Sequence, residues 1–413
     1  MESILLLVHR IPFPPNKGDK IVSYHLLRHL AARYRVHLGT FFDDLSDADH
    51  VCTLDQWCAS RCVIQLHPRL AQLRSVTAFL TDEPLTLPYY RSAKLRQWVE
   101  ATIAESNIQR AVVFSAAMAQ YVERLPNLRV VLDLVDVDSA KWTQYADRRA
   151  WPFSYIYRRE GEKLLAVERS AAARSAATVL ITRGEADLFL RLAPECNGRV
   201  HVIESGVDTN YFAPHSDRLS PYPSNEAPIV FTGAMDYWPN IDAVSWFARE
   251  VLPRVAQQRP DARFHIVGMN PAKTVGALAA DARVTVTGKV PDVRPYLQHA
   301  AAVVAPLRVA RGIQNKVLEA MAMAKPVVVS SAAASGINAV RGVDFETAGD
   351  AEEFCSKLLA VMHPEVGHAM GQRARARIVA DYNWTRNLSA FEKLLEPGPL
   401  SGAGRTARSL DAH

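Results

Sequence analysis

At 413 residues the chain exceeds what one hydrophobic core usually fills, so two domains are expected. Hydrophobic residues make up 49% and charged residues 22%, the balance of a soluble globular protein. A net charge of +5 suits an anionic substrate or an anionic membrane surface, and is far too weak to argue nucleic-acid binding.

The opening MESILLLVHR has an acidic residue at position 2 and no small-residue cleavage site, so it reads as a first buried strand rather than a signal peptide. No apolar run reaches the ~18 residues that a membrane span requires. Short apolar runs alternate with helix-period segments, the pattern of α/β architecture with parallel sheets. In the first half, strands are predicted at about residues 4–8, 36–41, 62–66, 111–114, 130–134, 178–181 and 200–202. Between the first two, a helix is predicted from near Asp19, with Tyr24, Leu27 and Leu30 along one face. The connecting stretch PFPPNKGDK offers Gly18 for a tight turn and Asp19 as a helix cap, with Lys17 and Lys20 bringing positive charge to a cleft.

The five cysteines, Cys52, Cys58, Cys62, Cys196 and Cys355, are odd in number and lack CxxC pairs. They read as free thiols of a reducing cytoplasm rather than as zinc ligands with His50. Asp136 and Asp138, in DLVDVDS at a strand end, are candidates for polar contacts in the cleft, or else turn and cap residues. WPFSYIYRREGEKLL, residues 151–165, mixes aromatics with cations and fits either a membrane surface or an ordinary helix start.

APHSDRLSPYPSNEAP, residues 213–228, is rich in Pro, Ser and charge and is predicted to link two domains. Second-half strands are predicted at about 229–232, 263–267, 284–287, 301–305 and 327–330. The chain therefore divides into an N-terminal domain at 1–212, the linker, and a second domain at 229–380. A last helix at 381–396 is expected to return toward the first domain, and 397–413 to form a disordered tail. Two doubly wound domains leave a cleft between the carboxyl ends of their sheets.

The densest chemistry lies in APLRVARGIQNKVLEAMAMAKPVVVS, residues 305–330. Here Arg308, Arg311 and Lys316 precede Glu319 by at most eleven residues. Asn315 is predicted as an N-cap, which would turn the backbone amides of Gly312, Ile313 and Gln314 toward an anion. Lys316 and Glu319, three apart, share a helix face while Val317, Leu318 and Met321 turn to the core. Such a loop suits a diphosphate, with the carboxylate receiving a ribose diol. A solvated helix end with an incidental Glu–Lys pair is the plainer alternative.

GIQNKVLEAMAMAKPVV is similar to the donor-site motif of the retaining GT-B glycosyltransferases of family 4, also called group 1. ESGVDTNYFAP, IVFTGAMDYWPNIDAV, VTVTGKVPDVRPYL and ADYNWTRNL follow that family's order. VHRIPFPPNKGDKIVSYHLL, DLVDVDSAKW and YIYRREGEKLL resemble the transferases of bacterial PEP-CTERM/exosortase exopolysaccharide systems. The chain departs from the family twice. Arg311 stands where the motif's first Glu belongs, and GAMDYWPN, with Gly233, lacks the cations that usually hold the diphosphate there. Arg308, Arg311 and Lys316 are expected to compensate.

The resemblance implies a GT-B fold, with an acceptor-binding first domain and a second domain that binds a nucleotide-diphosphate sugar. It also implies metal-independent transfer with retention to a glycan or polyprenyl-linked acceptor, with no cofactor beyond the co-substrate. The expected setting is cytoplasmic, with peripheral contact at the inner face of the membrane. Catalysis is expected from Glu319, Lys316 and Arg308. Donor binding is expected from Gly18, Gly233, Arg311, Gly312, Ile313 and Gln314 together with Lys316 and Glu319. Lys17, Asp19, Asp136 and Asp138 are expected on the acceptor side. The competing expectations are an inactive nucleotide-sugar-binding scaffold and an epimerase of the same fold. A dehydrogenase is disfavoured because no GxGxxG follows a predicted strand.

Overall fold

The computed structural model describes residues 1–125, 127–147, 149–310 and 312–396. The first sheet contains β1 (Ser3–Val8), β2 (Arg35–Phe42), β3 (Cys58–Gln65), β4 (Arg110–Phe114), β5 (Arg129–Val135), β6 (Ala177–Leu180) and β7 (Val200–Val202). Its strand order is β3-β2-β1-β4-β5-β6-β7 and every pairing is parallel. The second contains β8 (Ala227–Thr232), β9 (Ala262–Val267), β10 (Val284–Gly288), β11 (Ala302–Ala305), β12 (Val327–Ser330) and β13 (Glu346–Ala348). Its order is β10-β9-β8-β11-β12-β13, again all parallel.

Helices cover both faces of each sheet, so central strands need apolar side chains on both sides. β1 meets that demand with the unbroken run Ile4–Val8, each residue at most 1% exposed. All twelve runs predicted from apolar content are strands. β13 was not predicted, because three residues reading Glu-Thr-Ala carry no usable periodicity.

The second domain begins to pack earlier than its composition implies. Val207 and Tyr222 are already buried in the second core, before β8 starts. The polar stretch 213–226 lies against that domain: Tyr222 donates its hydroxyl to the Tyr296 carbonyl at 2.8 Å, and Arg218 donates to Gln298 at 2.5 Å. A segment whose few large side chains find partners becomes part of the surface instead of a free tether.

At the far end, the helix Pro364–Asp381 packs Met370, Ala374 and Ile378 into the second core. The chain then turns, and the helix Trp384–Lys393 lays Leu388 and Phe391 into the first core beside Leu26 and Leu27 of the helix Gly18–Ala31. Arg110 and Arg129 hold the carbonyls of Leu395 and Leu394 at 3.0 and 3.1 Å. The tail 397–413 lies outside the described residues. Among the described residues no helix is long and apolar enough to cross a membrane.

Candidate active site

In each sheet the chain walks outward from a central strand, then returns to build the other side. β1 lies between β2 and β4, and β8 lies between β9 and β11. Loops leaving the carboxyl ends of such neighbours diverge and open a crevice. The loops after β8 and β11 carry Gly233 and Gly312–Gln314; those after β1 and β4 carry Lys17 and Ser115.

The helix Asn315–Ala322 begins at this crevice and buries Val317, Leu318 and Met321 in the second core. Lys316 then turns back over the end of β8. Its ammonium donates to Asn240 Oδ1 at 2.6 Å and lies 4.1 Å from the centre of the Phe231 ring. A Cβ on residue 233 would stand 3.0 Å from Nζ, so the glycine there, at φ +153°, leaves room for the amine. Glu319 follows one turn later on the same face. Burial pushes Lys316 down to about 7, opposed by Glu319, and pushes Glu319 up to about 7, opposed by Lys316. The free protein thus holds a cation and an anion that are both close to giving up their charge at neutral pH.

The loop before this helix is tightly confined. Gly312 has φ +61°, a conformation that L side chains rarely adopt. A Cβ there would fall 2.3 Å from Asp136 Oδ1, and one on Gly336 would meet the Gly312 carbonyl at the same distance. Asp136 therefore reaches across from the first domain to touch the loop of the second. Its Oδ2 accepts from Lys141 at 2.9 Å, while Oδ1 is buried with no hydrogen-bond partner among the described residues. Asp138, the first residue of the helix Asp138–Ala146, shares Lys141 at 3.0 Å. Gly18 closes a second approach, with its Cβ position 3.5 Å from Asn315 Nδ2. Ile313 packs on the second core. Gln314, not Asn315, occupies the cap position, so Asn315 is the first helical residue. Arg311 lies outside the described residues.

Three charged residues sit differently from their expected roles. Arg308 does not join Lys316 and Glu319: its guanidinium grips Asp242, with Nε at 2.8 Å from Oδ2. Asp242 and Asn240 are two residues apart on the helix Trp238–Trp246 and so point about 200° apart. Arg308 thereby faces a neighbouring hollow of about 370 Å³ lined by Trp246, Glu250, Ser330, Asp350 and Phe354. Lys20 is 1% exposed and paired with Asp47 at 2.8 Å, so its charge serves the first domain's interior and not the cleft. Asp19 is the second residue of its helix, whose cap position is Lys17. Burial raises the Asp19 carboxyl, but His9 at 3.3 Å and Arg10 at 2.7 Å outweigh it and hold the group well below the usual carboxylate range.

Sequence reasoning missed Asn240, Phe231 and Gly336. Only Asn240 left a signal: it is the third residue of a helix opened by Trp-Pro at the end of the second domain's first strand. His25 stacks on Trp384 of the returning helix at 4.4 Å, and burial pushes it down to about 4.

Residues 226–363 match the family described as Glycosyl transferases group 1. No curated protein matches the chain. Among solved structures, it is similar to sucrose-phosphate synthase from Thermosynechococcus elongatus: 19% identity, 95% of this chain and 98% of that one covered, TM-score 0.73. It is also similar to Anabaena HepE in complex with UDP, at 16% identity, 96% and 99% coverage and TM-score 0.68. WaaG, a glycosyltransferase involved in lipopolysaccharide biosynthesis, aligns at 15% identity over 96% and 100% of the two chains, with TM-score 0.64. At these identities the likeness establishes the architecture: two parallel-sheet α/β domains in the GT-B fold.

Proposed function

We propose that this protein transfers a sugar, with retention, from a nucleotide-diphosphate sugar to a lipid-linked glycan acceptor in exopolysaccharide or surface-polysaccharide synthesis of the PEP-CTERM/exosortase kind. The observation that carries the donor side is the pair Lys316 and Glu319, one turn apart at the second sheet's switch point beside Gly233. The group 1 match over 226–363 supports the same domain as the donor site. In this reading the Lys316 ammonium and the backbone amides of 312–314 meet the diphosphate, and Glu319 accepts hydrogen bonds from the ribose diol. Charge that develops on the departing diphosphate is stabilised by groups already in place, and its oxygen helps deprotonate the acceptor hydroxyl. Asp136, on the first domain, closes against Gly312 and excludes water. Arg308 has no part in this scheme, and no metal ion is invoked.

The nucleotide to try first is UDP, because HepE has been solved with UDP and with UDP-glucose. Calorimetric titration of UDP, GDP and ADP against the wild type and Glu319→Ala tests the site. One nucleotide is expected to bind, with the variant weaker by about tenfold, the ~1.4 kcal/mol of lost hydrogen bonds. If no nucleotide binds, or the variant binds equally, the donor site is misplaced. Binding without turnover of any donor would instead mark the inactive scaffold.

A further inference from the structure

The helix Pro68–Ser75 and the turn Ala78–Thr81 bury Ala71, Ser75 and Ala78, which follow one another at helical spacing. A second stripe at the same spacing, Leu70, Leu73, Val76 and Leu80, faces solvent instead, and Leu80 is 90% exposed. Nearby, Trp151 is 82% exposed, with Phe153 and Tyr155 beside it in sequence. Residues 70–80 and 151–155 hold eight of the seventeen exposed large hydrophobic side chains among the described residues, so the exposure is concentrated and not scattered.

The two segments form one face. Arg159, one turn beyond Tyr155, donates to the carbonyls of Ala78 at 2.8 Å and Glu83 at 3.1 Å, and its guanidinium carbon lies 4.8 Å from the Phe79 ring centre. Lys163 pairs with Asp82 at 2.6 Å. The buried Glu160 accepts from the Leu85 and Thr86 amides at 2.5 and 3.0 Å. The face also carries an excess of positive charge. No carboxylate occurs between Asp55 and Asp82 or between Asp147 and Glu160, whereas Arg69, Arg74, Arg149 and Arg158 are all exposed there. Of these, Arg158 pairs with Asp147 at 3.6 Å and Arg74 holds the carbonyls of Pro88 and Tyr89 at 2.6 and 2.7 Å.

We propose that this face docks on an anionic lipid bilayer. Apolar side chains rimmed by an excess of arginines, Arg69 and Arg149 among them, match an acyl–headgroup boundary that carries negative charge. The face also borders the cleft. Phe153 lies 6.3 Å from Tyr157, Tyr157 is 5.2 Å from Trp142, and Trp142 is 6.3 Å from Tyr145. The Tyr145 hydroxyl in turn lies 3.3 Å from that of Tyr237 in the second domain. A lipid-anchored acceptor would therefore reach the crevice along the rim.

The proposal reads bilayer binding, not turnover, so it is separable from the transferase reading. Cosedimentation of the full chain with vesicles of phosphatidylcholine and phosphatidylglycerol is the test. The wild type is expected to bind these and to bind pure phosphatidylcholine at least tenfold more weakly. Leu80→Ser with Trp151→Ser, and separately Arg69→Ser with Arg149→Ser, are each expected to lose tenfold or more, with unchanged circular dichroism and unchanged nucleotide titration. No binding to anionic vesicles, or equal binding by the variants, overturns the proposal. So does a wild-type dimer by light scattering that the Leu80/Trp151 variant dissociates without any vesicle binding, since a second copy would then own the face.

Discussion

In the proposed donor site, Lys316 and Glu319 should give nucleotide binding a pH signature that a merely electrostatic surface would lack. Burial draws both groups toward neutrality, Lys316 down to about 7 and Glu319 up to about 7, each opposed by the other. A diphosphate beside Lys316 stabilises the ammonium, so above pH 7 binding takes up a proton. By the same logic, ribose hydroxyls beside Glu319 stabilise the carboxylate, so below pH 7 binding releases one. Above neutral pH the free protein progressively loses the Lys316 proton, and below it progressively takes up the Glu319 proton. Affinity should therefore peak near pH 7 and fall on either side by up to tenfold per pH unit, ~1.4 kcal/mol. Titration calorimetry with UDP-glucose, whose phosphates stay ionised throughout, reads both the affinity and the proton count in buffers of different ionisation heat. Lys316→Met should flatten the alkaline arm and Glu319→Gln the acid arm. A monotonic wild-type profile, or arms that survive both substitutions, would refute the assignment of these two groups to the ligand.

Gly312→Ala places a Cβ 2.3 Å from Asp136 at a positive φ, so it should cost ~1–3 kcal/mol in denaturant melts and weaken nucleotide binding. Phe391→Ala removes a ring that is 2% exposed in the first core, and a loss of ~3–5 kcal/mol is expected by urea unfolding. Lys20→Met leaves Asp47 buried without its cation; ~3–5 kcal/mol should be lost, recovered in large part by adding Asp47→Leu. A double variant no better than Lys20→Met would mean the pair is not the source of the effect. Lys316→Ala should raise donor KM and lower kcat together, and unchanged kinetics would remove the lysine from the site.

The parallel sheets were legible because buried strands must be apolar, and runs such as Ile4–Val8 leave little else to read. The cation-rich loop was legible because charge between two such strands needs a reason. Side-chain direction was not. Arg308 and Lys316 look equivalent in sequence, yet Asp242, sixty-six positions upstream, claims the first while Asn240 faces the second. Lys20 likewise reads as a cleft cation until Asp47 is brought against it by the fold. The contact of Asp136 with Gly312 depends on how two domains sit together, which no local pattern encodes. The stripe from Leu70 to Leu80 is hard to read in sequence because it spans two short helices, Pro68–Ser75 and Ala78–Thr81, with a turn between them.

The return of the last helix has a consequence for synthesis. Phe391 and Leu395 complete the core that Ile4 and Leu6 begin, so the first half of the chain emerges from the ribosome long before it can finish folding. Until the helix Trp384–Lys393 arrives, the side of the helix Gly18–Ala31 that it packs against has no cover. Chains cut short near residue 380 should therefore emerge with that apolar patch exposed and depend on chaperones, even though every residue of both sheets is present.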